Sequence, residues 1–268
     1  MMKTQIILLS SFLLAVTTTA CSDFLTENPK GRLTPENYFT SQEELDMAVN
    51  ALYSKVCDTQ TNTNPMMIAW QGDDITTNPG SNKLHVAKVD AFHPSDGNNG
   101  ASWAWRTSFV AIKAANDIIN SAEKTPTSTE EKNIAIGQAR FWRAVNYFFL
   151  VRRFGPVPMN LAGDVDYSRP LASVEEVYQQ IVAVHAPPST SSPRFTTRYS
   201  TAPRAINGAN IYITKQAAQA TLAAVDMAMA GWPLQKTERY AEAAALTKAV
   251  IDGVNAGTYE YILEPHFK

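Results

Sequence analysis

Apolar residues recur at helical spacing through most of this chain, and helix caps bound the blocks that they form. After Ser41-Gln42-Glu43-Glu44, which has the form of a capping box, apolar residues follow at intervals of three and four from Leu45 to Val56. This pattern predicts a helix over 42–57. Similar blocks predict five more helices, over 103–122, 129–154, 173–181, 214–230 and 237–254.

Two stretches lack helical periodicity. Residues 58–102 are rich in Asn, Thr, Asp, Gly and Pro, with a few aromatic residues between them, which is typical of a functional irregular segment. Residues 185–210 contain four prolines and three arginines but no acidic residue, and they predict a loop or a poorly ordered segment. No strand pattern of comparable strength occurs, apart from a short piece at 259–263.

The short turns between the predicted helices indicate antiparallel helix pairs. These pairs predict a mostly α, tetratricopeptide-like helical-repeat fold. The non-periodic stretches add long irregular loops, which we expect to be ligand-binding loops. No strict period of about 34 residues is visible, so the repeat assignment depends on helix pairing alone.

The amino terminus has the features of a bacterial export signal. Lys3 precedes an apolar run from Ile6 to Val16, and Ala20 stands directly before Cys21. The run is shorter than the roughly 20 apolar residues of a membrane-spanning helix. We expect a lipoprotein signal that is cleaved before Cys21, with lipid on the Cys21 sulfur. An ordinary secretory signal followed by a chance cysteine is the alternative that this pattern leaves open.

This interpretation divides the chain into a signal peptide over 1–20, a tether over 21–40 and a helical domain over 41–268. With Cys21 lipidated, Cys57 has no partner for an intrachain disulfide, and we expect it to be a buried helical thiol. No second apolar stretch in the sequence is long enough to cross a membrane, so we expect attachment through lipid only.

Charge and composition exclude one class of partner. The 268 residues carry a net charge of -2, and 18% are charged, with no basic block or stripe. Nucleic acid is therefore not an expected partner.

The sequence contains none of the common catalytic or phosphate-binding motifs. Asp73 and Asp74 are adjacent, whereas glycoside hydrolysis needs two carboxyls about 5–10 Å apart across the bond. The four histidines are scattered, and the Asp96–Gly100 stretch lacks the closing Glu of a calcium loop, which favours a simple turn. We therefore expect no enzymatic activity, no cofactor and no metal.

Several separated motifs resemble the SusD/RagB family, the surface glycan-binding lipoproteins of Bacteroidetes. The most specific block runs from Ala139 to Ala144, through Tyr147-Phe148, to Arg153-Phe154-Gly155-Pro156-Val157-Pro158. Further similar segments are Cys21–Leu25, Ala48–Tyr53, Trp105 to Asn116, Val174–Tyr178 and Ile213–Ala218 with Gly231-Trp232. The resemblance spans almost the whole predicted mature chain.

The resemblance implies a non-catalytic protein that is lipid-anchored at the surface of the outer membrane. It would bind an oligosaccharide or starch-like polysaccharide and deliver it to a SusC-like TonB-dependent transporter. Family members are commonly about twice this length, so this chain corresponds to their amino-terminal portion, with the second half apparently missing. Asp226 stands where the family pattern has an apolar residue, and we expect its helix to pack less well.

The resemblance also places much of the glycan site in the irregular amino-terminal segment. Flat aromatic faces pack on the apolar face of a sugar ring, and polar or charged side chains bond its hydroxyls. The candidate residues on this basis are Trp70, Asp73, Asp74 and Trp103. Both tryptophans could instead anchor the loop in the core.

Three functions remain open from the sequence. The first is glycan binding. The second is a structural or interaction protein that docks to the transporter without a glycan site of its own. The third is a hydrolase, which predicts release of product from a glycan.

Overall fold

The computed structural model describes residues 34–60, 72–74, 76–78, 80–162, 168–185, 205–206, 209–210 and 212–257. Within these residues the chain forms eight α-helices: α1 Pro35–Tyr38, α2 Gln42–Gln60, α3 Leu84–Asp90, α4 Asn99–Ser121, α5 Thr129–Phe154, α6 Val174–His185, α7 Lys215–Ala230 and α8 Arg239–Asn255. Single 3-10 turns precede α3 (Ser81–Lys83) and follow α4 (Ala122–Lys124).

The strands are two residues long and form two antiparallel pairs. β1 (Val157–Pro158) pairs with β2 (Leu171–Ala172), and β3 (Ala205–Ile206) pairs with β4 (Ala209–Asn210). The latter pair lies inside the predicted 185–210 loop. The mostly α expectation is confirmed, whereas the predicted strand at 259–263 lies outside the described residues.

All six predicted helices form, although α2 continues to Gln60 and α6 to His185, beyond their predicted ends at 57 and 181. The helix predicted from 103 begins at Asn99, because the side chain of Asn98 caps it. α3 lies inside the stretch predicted to be irregular. Its seven residues bury only Val86 and Val89, which is too short a pattern to show a period.

Side-chain caps start several helices at the predicted positions. Ser173 and Glu176 form a reciprocal capping box: Glu176 N donates to Ser173 Oγ at 3.2 Å, and Ser173 N donates to Glu176 Oε2 at 2.7 Å. The bonds from Ser173 lower the pKa of the Glu176 carboxyl. Ser128 likewise caps α5 by accepting from Glu131 N at 3.2 Å.

Consecutive helices pack antiparallel. Trp105 of α4 contacts Phe154 at the end of α5, and Asn116 of α4 contacts Arg143 in the middle of α5. The same alternation continues: the ends of α5 and α7 lie beside the start of α6, and Asp226 near the end of α7 pairs with Arg239 at the start of α8. The start of α4, the end of α5, the start of α6 and the end of α7 therefore share one end of the array, which we call the upper end.

The core consists of apolar layers between these helices. One layer joins α4, α5, α6 and α7, and a second joins α2, α4 and α5. Trp105 packs against the first layer and Trp142 against the second.

Tyr53 connects α2 to the entry of α7. Its hydroxyl donates to Gln138 Oε1 and accepts from Ile213 N at 3.1 Å. Gln138 also bonds both backbone groups of Ile213, at 2.9 and 3.0 Å. The Tyr53 ring stacks on Tyr212 with centroids 5.8 Å apart, so the segment before α7 is fixed on the α2–α5 surface.

Asp226 does not weaken the packing of its helix as expected. Its side chain is 2% exposed, and its carboxylate accepts from Arg239 Nη1 of α8 at 3.3 Å. Burial raises the pKa of Asp226, which Arg239 opposes. The prediction failed because the partner lies on the next helix, beyond the range of local pattern.

Cys57 is exposed, so the predicted buried thiol is wrong. The buried stripe of α2 runs through Leu45, Val49, Leu52 and Val56. Position 57 lies about 100° around the helix from position 56, outside that stripe.

Candidate functional site

The four candidate glycan-binding residues have different environments. Asp73 and Asp74 are exposed to solvent on a bend, and Trp103 is half-buried in the second turn of α4. Trp70 lies outside the described residues. The structure gives no contact that joins Asp73 or Asp74 to Trp103.

Trp103 lies on the solvent-facing side of α4. Asn99, Arg106 and Val110 occupy the same side by their spacing of three and four residues, and all three are exposed. Trp103 belongs to none of the core layers, in contrast to Trp105 and Trp142. Because Arg106 lies one turn from Trp103, a cationic hydrogen-bond donor stands beside a partly exposed aromatic face.

The segment that carries Asp73 and Asp74 is joined to α3 through a carboxylate. Asp90 Oδ2 accepts from Thr76 Oγ1 at 3.1 Å and from Thr77 N at 2.9 Å. These two bonds fix the chain two or three residues after Asp74 to the end of α3. The predicted irregular segment is therefore organised around Asp90, a residue that the sequence pattern did not single out.

Asn98 joins α3 to α4. Its Oδ1 accepts from Gly100 N at 2.9 Å and Ala101 N at 3.1 Å, and its Nδ2 donates to the His85 carbonyl at 3.0 Å. The side chain is 3% exposed and has satisfied donors and acceptors. The predicted turn at 96–100 is thus a helix N-cap that brings the preceding loop onto the upper end.

Phe92 is a site candidate that the sequence reasoning missed. It ends α3 in a left-handed conformation, with φ of 52°, and its side chain is 73% exposed. Phe92 N donates to the Val89 carbonyl at 3.0 Å and His93 N to the Lys88 carbonyl at 2.8 Å, the bond pair of a Schellman motif. Glycine is the usual residue at this position, and a bulky residue there is strained.

The sequence did contain a hint of this site. Pro94 follows two residues after Phe92, and proline is common just beyond a helix C-cap. An aromatic residue in place of the expected glycine is the anomaly. Its strained backbone and exposed ring make Phe92 a candidate for a binding role.

Two absences hold for the described part of the chain. No group of three His, Cys, Asp or Glu side chains there is arranged to hold a metal ion. Among the same residues, no helix combines the length and apolarity that crossing a membrane requires.

Comparison with known proteins gives consistent results. Residues 23–226 match the SusD-like family described as "Starch-binding associating with outer membrane". A SusD-like protein of Bacteroides ovatus is 30% identical over 198 residues, 66% of this chain and 34% of that protein. SusD-like protein P2 of Formosa agariphila is 29% identical over 177 residues, 63% of this chain and 35% of that protein. The chain thus spans about a third of the length of these curated relatives.

Solved structures share the fold. A SusD homolog from Bacteroides thetaiotaomicron matches with a TM-score of 0.66 at 20% identity, over 85% of this chain and 43% of that chain. Surface glycan-binding protein A from Bacteroides fluxus matches with a TM-score of 0.64 at 17% identity, over 83% of this chain and 46% of that chain. These similarities confirm the tetratricopeptide-like helical fold. With the family match over residues 23–226, they establish that the chain belongs to the SusD-like (SusD/RagB) family.

Proposed function

We propose that this chain binds glycans at the surface of the outer membrane and delivers oligosaccharides to a SusC-like TonB-dependent transporter. The observation that carries the proposal is that the partly exposed ring of Trp103 and the exposed cation of Arg106 lie one turn apart on the solvent-facing side of α4. The exposed ring of Phe92 follows α3, the helix that Asn98 joins to the start of α4. The family description, starch-binding associated with the outer membrane, supports this role.

The chemistry of the proposed site suits a sugar ring. The indole of Trp103 and the ring of Phe92 offer flat apolar surfaces for the C–H face of a pyranose. Arg106 offers a planar fork of donors for ring hydroxyls, and the carboxylates of Asp73 and Asp74 accept hydrogen bonds from other hydroxyls. Trp70 belongs to this proposal from the sequence alone.

The proposed activity is binding without catalysis. The names of the relatives describe SusD-like and glycan-binding proteins, which supports a binding role. Asp73 and Asp74 are adjacent on one exposed bend. Glycoside hydrolysis needs two carboxyls on opposite sides of the glycosidic bond, and this arrangement does not provide them. A hydrolase would release product from glycans, and we expect no such release from this chain.

Attachment to the membrane is part of the same proposal. The signal peptide over 1–20, lipid on Cys21, and a tether over 21–40 would hold the 41–268 domain beside its transporter. Most of the tether lies outside the described residues, and the short helix α1 falls near its end.

A second candidate is the interaction protein that docks to the transporter without a glycan site. An apolar groove of about 480 Å³ between α7 and α8 favours it, with Met227, Ala244 and Ile251 in its lining. Exposed apolar surface of this kind is characteristic of protein contacts.

Affinity electrophoresis in native gels that contain starch, xylan, mannan or β-glucan separates the two candidates. We expect at least one polysaccharide to retard the intact, folded chain, and Trp103→Ala to reduce the retardation. Tyr240→Ala, which removes an exposed aromatic ring from α8, is the matched control. No retardation by any of these glycans contradicts the glycan role. Co-purification with the transporter in that case favours the second candidate.

A further inference from the structure

A second groove opens at the upper end of the helix array. It lies between the end of α5, the start of α6 and the turn from α7 to α8, and its volume is about 410 Å³. Arg152, Gly155, Tyr178, Trp232 and Pro233 are among its lining residues, and we call it the Trp232 groove. Its volume falls in the range of about 300–1,000 Å³ that is typical of ligand pockets.

Trp232 is exposed although the turn that carries it is firmly held. Its side chain is 83% exposed, the largest exposure among the large apolar side chains that the structure describes. On either side of it, Gly231 N donates to the Met227 carbonyl at 3.2 Å and Lys236 N donates to the Met229 carbonyl at 3.0 Å. Lys236 Nζ also forms an ion pair with Glu175 of α6. The indole is therefore presented to solvent from an ordered turn, and little backbone freedom remains to be lost on binding.

The lining of the groove combines apolar and polar groups. Arg152 is exposed, its guanidinium carbon lies 5.0 Å from the centroid of the Phe148 ring, and it forms no ion pair with any residue that the structure describes. Tyr178 also lines the groove and is 4% exposed; burial raises the pKa of its hydroxyl, and the Arg152 cation opposes that rise. A cationic fork with free donors beside an open indole fits a ligand with one apolar face and a hydroxyl rim.

We propose that the Trp232 groove is a second carbohydrate-binding surface, in which the Trp232 indole packs on the apolar face of a sugar ring and Arg152 donates to its hydroxyls. The inference rests on the proposed glycan-binding function and extends it to a place that the sequence motifs did not indicate. Three spacings of about 8–10 Å each separate the axis of α4, which carries Trp103, from the axis of α7, which ends just before Trp232, so the two surfaces lie on the order of 30 Å apart. One long glycan chain can then occupy both surfaces, and the second contact raises its affinity through effective concentration.

Calorimetric titration of the full chain tests the groove. The probes are maltoheptaose, cellohexaose, xylohexaose and mannohexaose. The variants are compared with the oligosaccharide that the wild-type chain binds most tightly. We expect Trp232→Ala to weaken binding about tenfold, the effect of losing one aromatic anchor. We expect Arg152→Gln to weaken binding severalfold and Tyr240→Ala to leave it unchanged. Thermal unfolding of each variant checks that the fold is intact.

A spectroscopic readout makes the test independent of affinity. The indole N–H resonance of Trp232, assigned by its loss in Trp232→Phe, should shift when the same oligosaccharide is added to wild type. An unmoved resonance together with unchanged affinity in Trp232→Ala overturns the second surface, leaves the proposed function standing, and assigns the groove to protein contact. Binding of none of the four oligosaccharides by wild type overturns both.

Discussion

Arg143 of α5 donates a 2.7 Å hydrogen bond from Nη1 to the side-chain carbonyl of Asn116 on α4. Asn116 in turn donates to the carbonyls of Asn160 at 3.0 Å and Ala162 at 2.9 Å. The Arg143 guanidinium is buried, and burial lowers its pKa. This pair therefore fixes both the α4–α5 contact and the segment after β1, in a core where an unpartnered polar group is costly.

Removal of the Asn116 side chain should destabilise the fold. We expect Asn116→Ala to lower the free energy of unfolding by roughly 2–4 kcal/mol, because the buried Asn160 carbonyl and the buried Arg143 guanidinium each lose a partner. Urea denaturation measures the change. Asn120→Ala, an exposed site on the same helix, is the control and should change the stability by less than about 0.5 kcal/mol. Equal effects of the two substitutions would show that the Arg143–Asn116 bond has no stabilising role.

Asp226 predicts a pH dependence of stability. Because burial raises its pKa above the ordinary value of 3.8, the folded state binds a proton at this carboxyl more tightly than the unfolded state does. The stability that protonated Asp226 contributes is therefore fully present below pH 3.8, and it is lost as the pH rises through the pKa that Asp226 has in the folded state. At pH 7 we expect Asp226→Asn to be more stable than wild type, since Arg239 keeps Glu242 as a partner at 2.5 Å.

The advantage of Asp226→Asn should shrink as the pH falls towards 3.8. Thermal unfolding of both proteins across this range measures the difference. Asp252→Asn is the matched control, because Asp252 pairs with Lys248 on the exposed face of α8 and should show little effect. A variant that is less stable than wild type at pH 7 would mean that the ion pair with Arg239 outweighs the cost of burying the charge.

Phe92 predicts a conflict between stability and binding. Glycine adopts the left-handed conformation without the steric cost that phenylalanine incurs, and the 73% exposed ring loses little packing when removed. We expect Phe92→Gly to raise the free energy of unfolding by about 0.5–1 kcal/mol and to weaken glycan binding. Phe92→Tyr should keep the binding. A stabilised Phe92→Gly with unchanged glycan affinity would exclude Phe92 from the site.

Lipid attachment can be tested with the two cysteines of this chain. Labelled fatty acid should be incorporated by wild type and by Cys57→Ala, which removes an exposed thiol on α2, but not by Cys21→Ala. Wild-type protein should then fractionate with the outer membrane. Equal labelling of Cys21→Ala and wild type would refute the lipoprotein signal and favour an ordinary secretory signal.

The sequence predicted the helices well because their information is local. The stripe from Leu45 to Val56 and the box of Ser173 with Glu176 specify α2 and the start of α6 within a few residues. α3 escaped prediction because its seven residues make less than two turns of helix and bury only Val86 and Val89.

The candidate site was only partly predictable, because its geometry depends on contacts between distant residues. Asp90 organises the 76–77 segment from thirteen and fourteen residues away, and Asn98 ties α4 to His85. The exposure of Trp232 is decided by the packing of three helices, which no motif encodes. Of the four residues named from sequence, Trp103 has the partly exposed environment that a binding role requires.

We propose above all that the upper end of this fold binds glycan through Trp103. Calorimetric titration of wild type and Trp103→Ala with the preferred oligosaccharide of the panel tests it most directly. We expect saturable binding by wild type and a loss of about tenfold or more in affinity for Trp103→Ala, with both proteins folded. Identical affinity in the two proteins, or no binding by folded wild type, would contradict the claim.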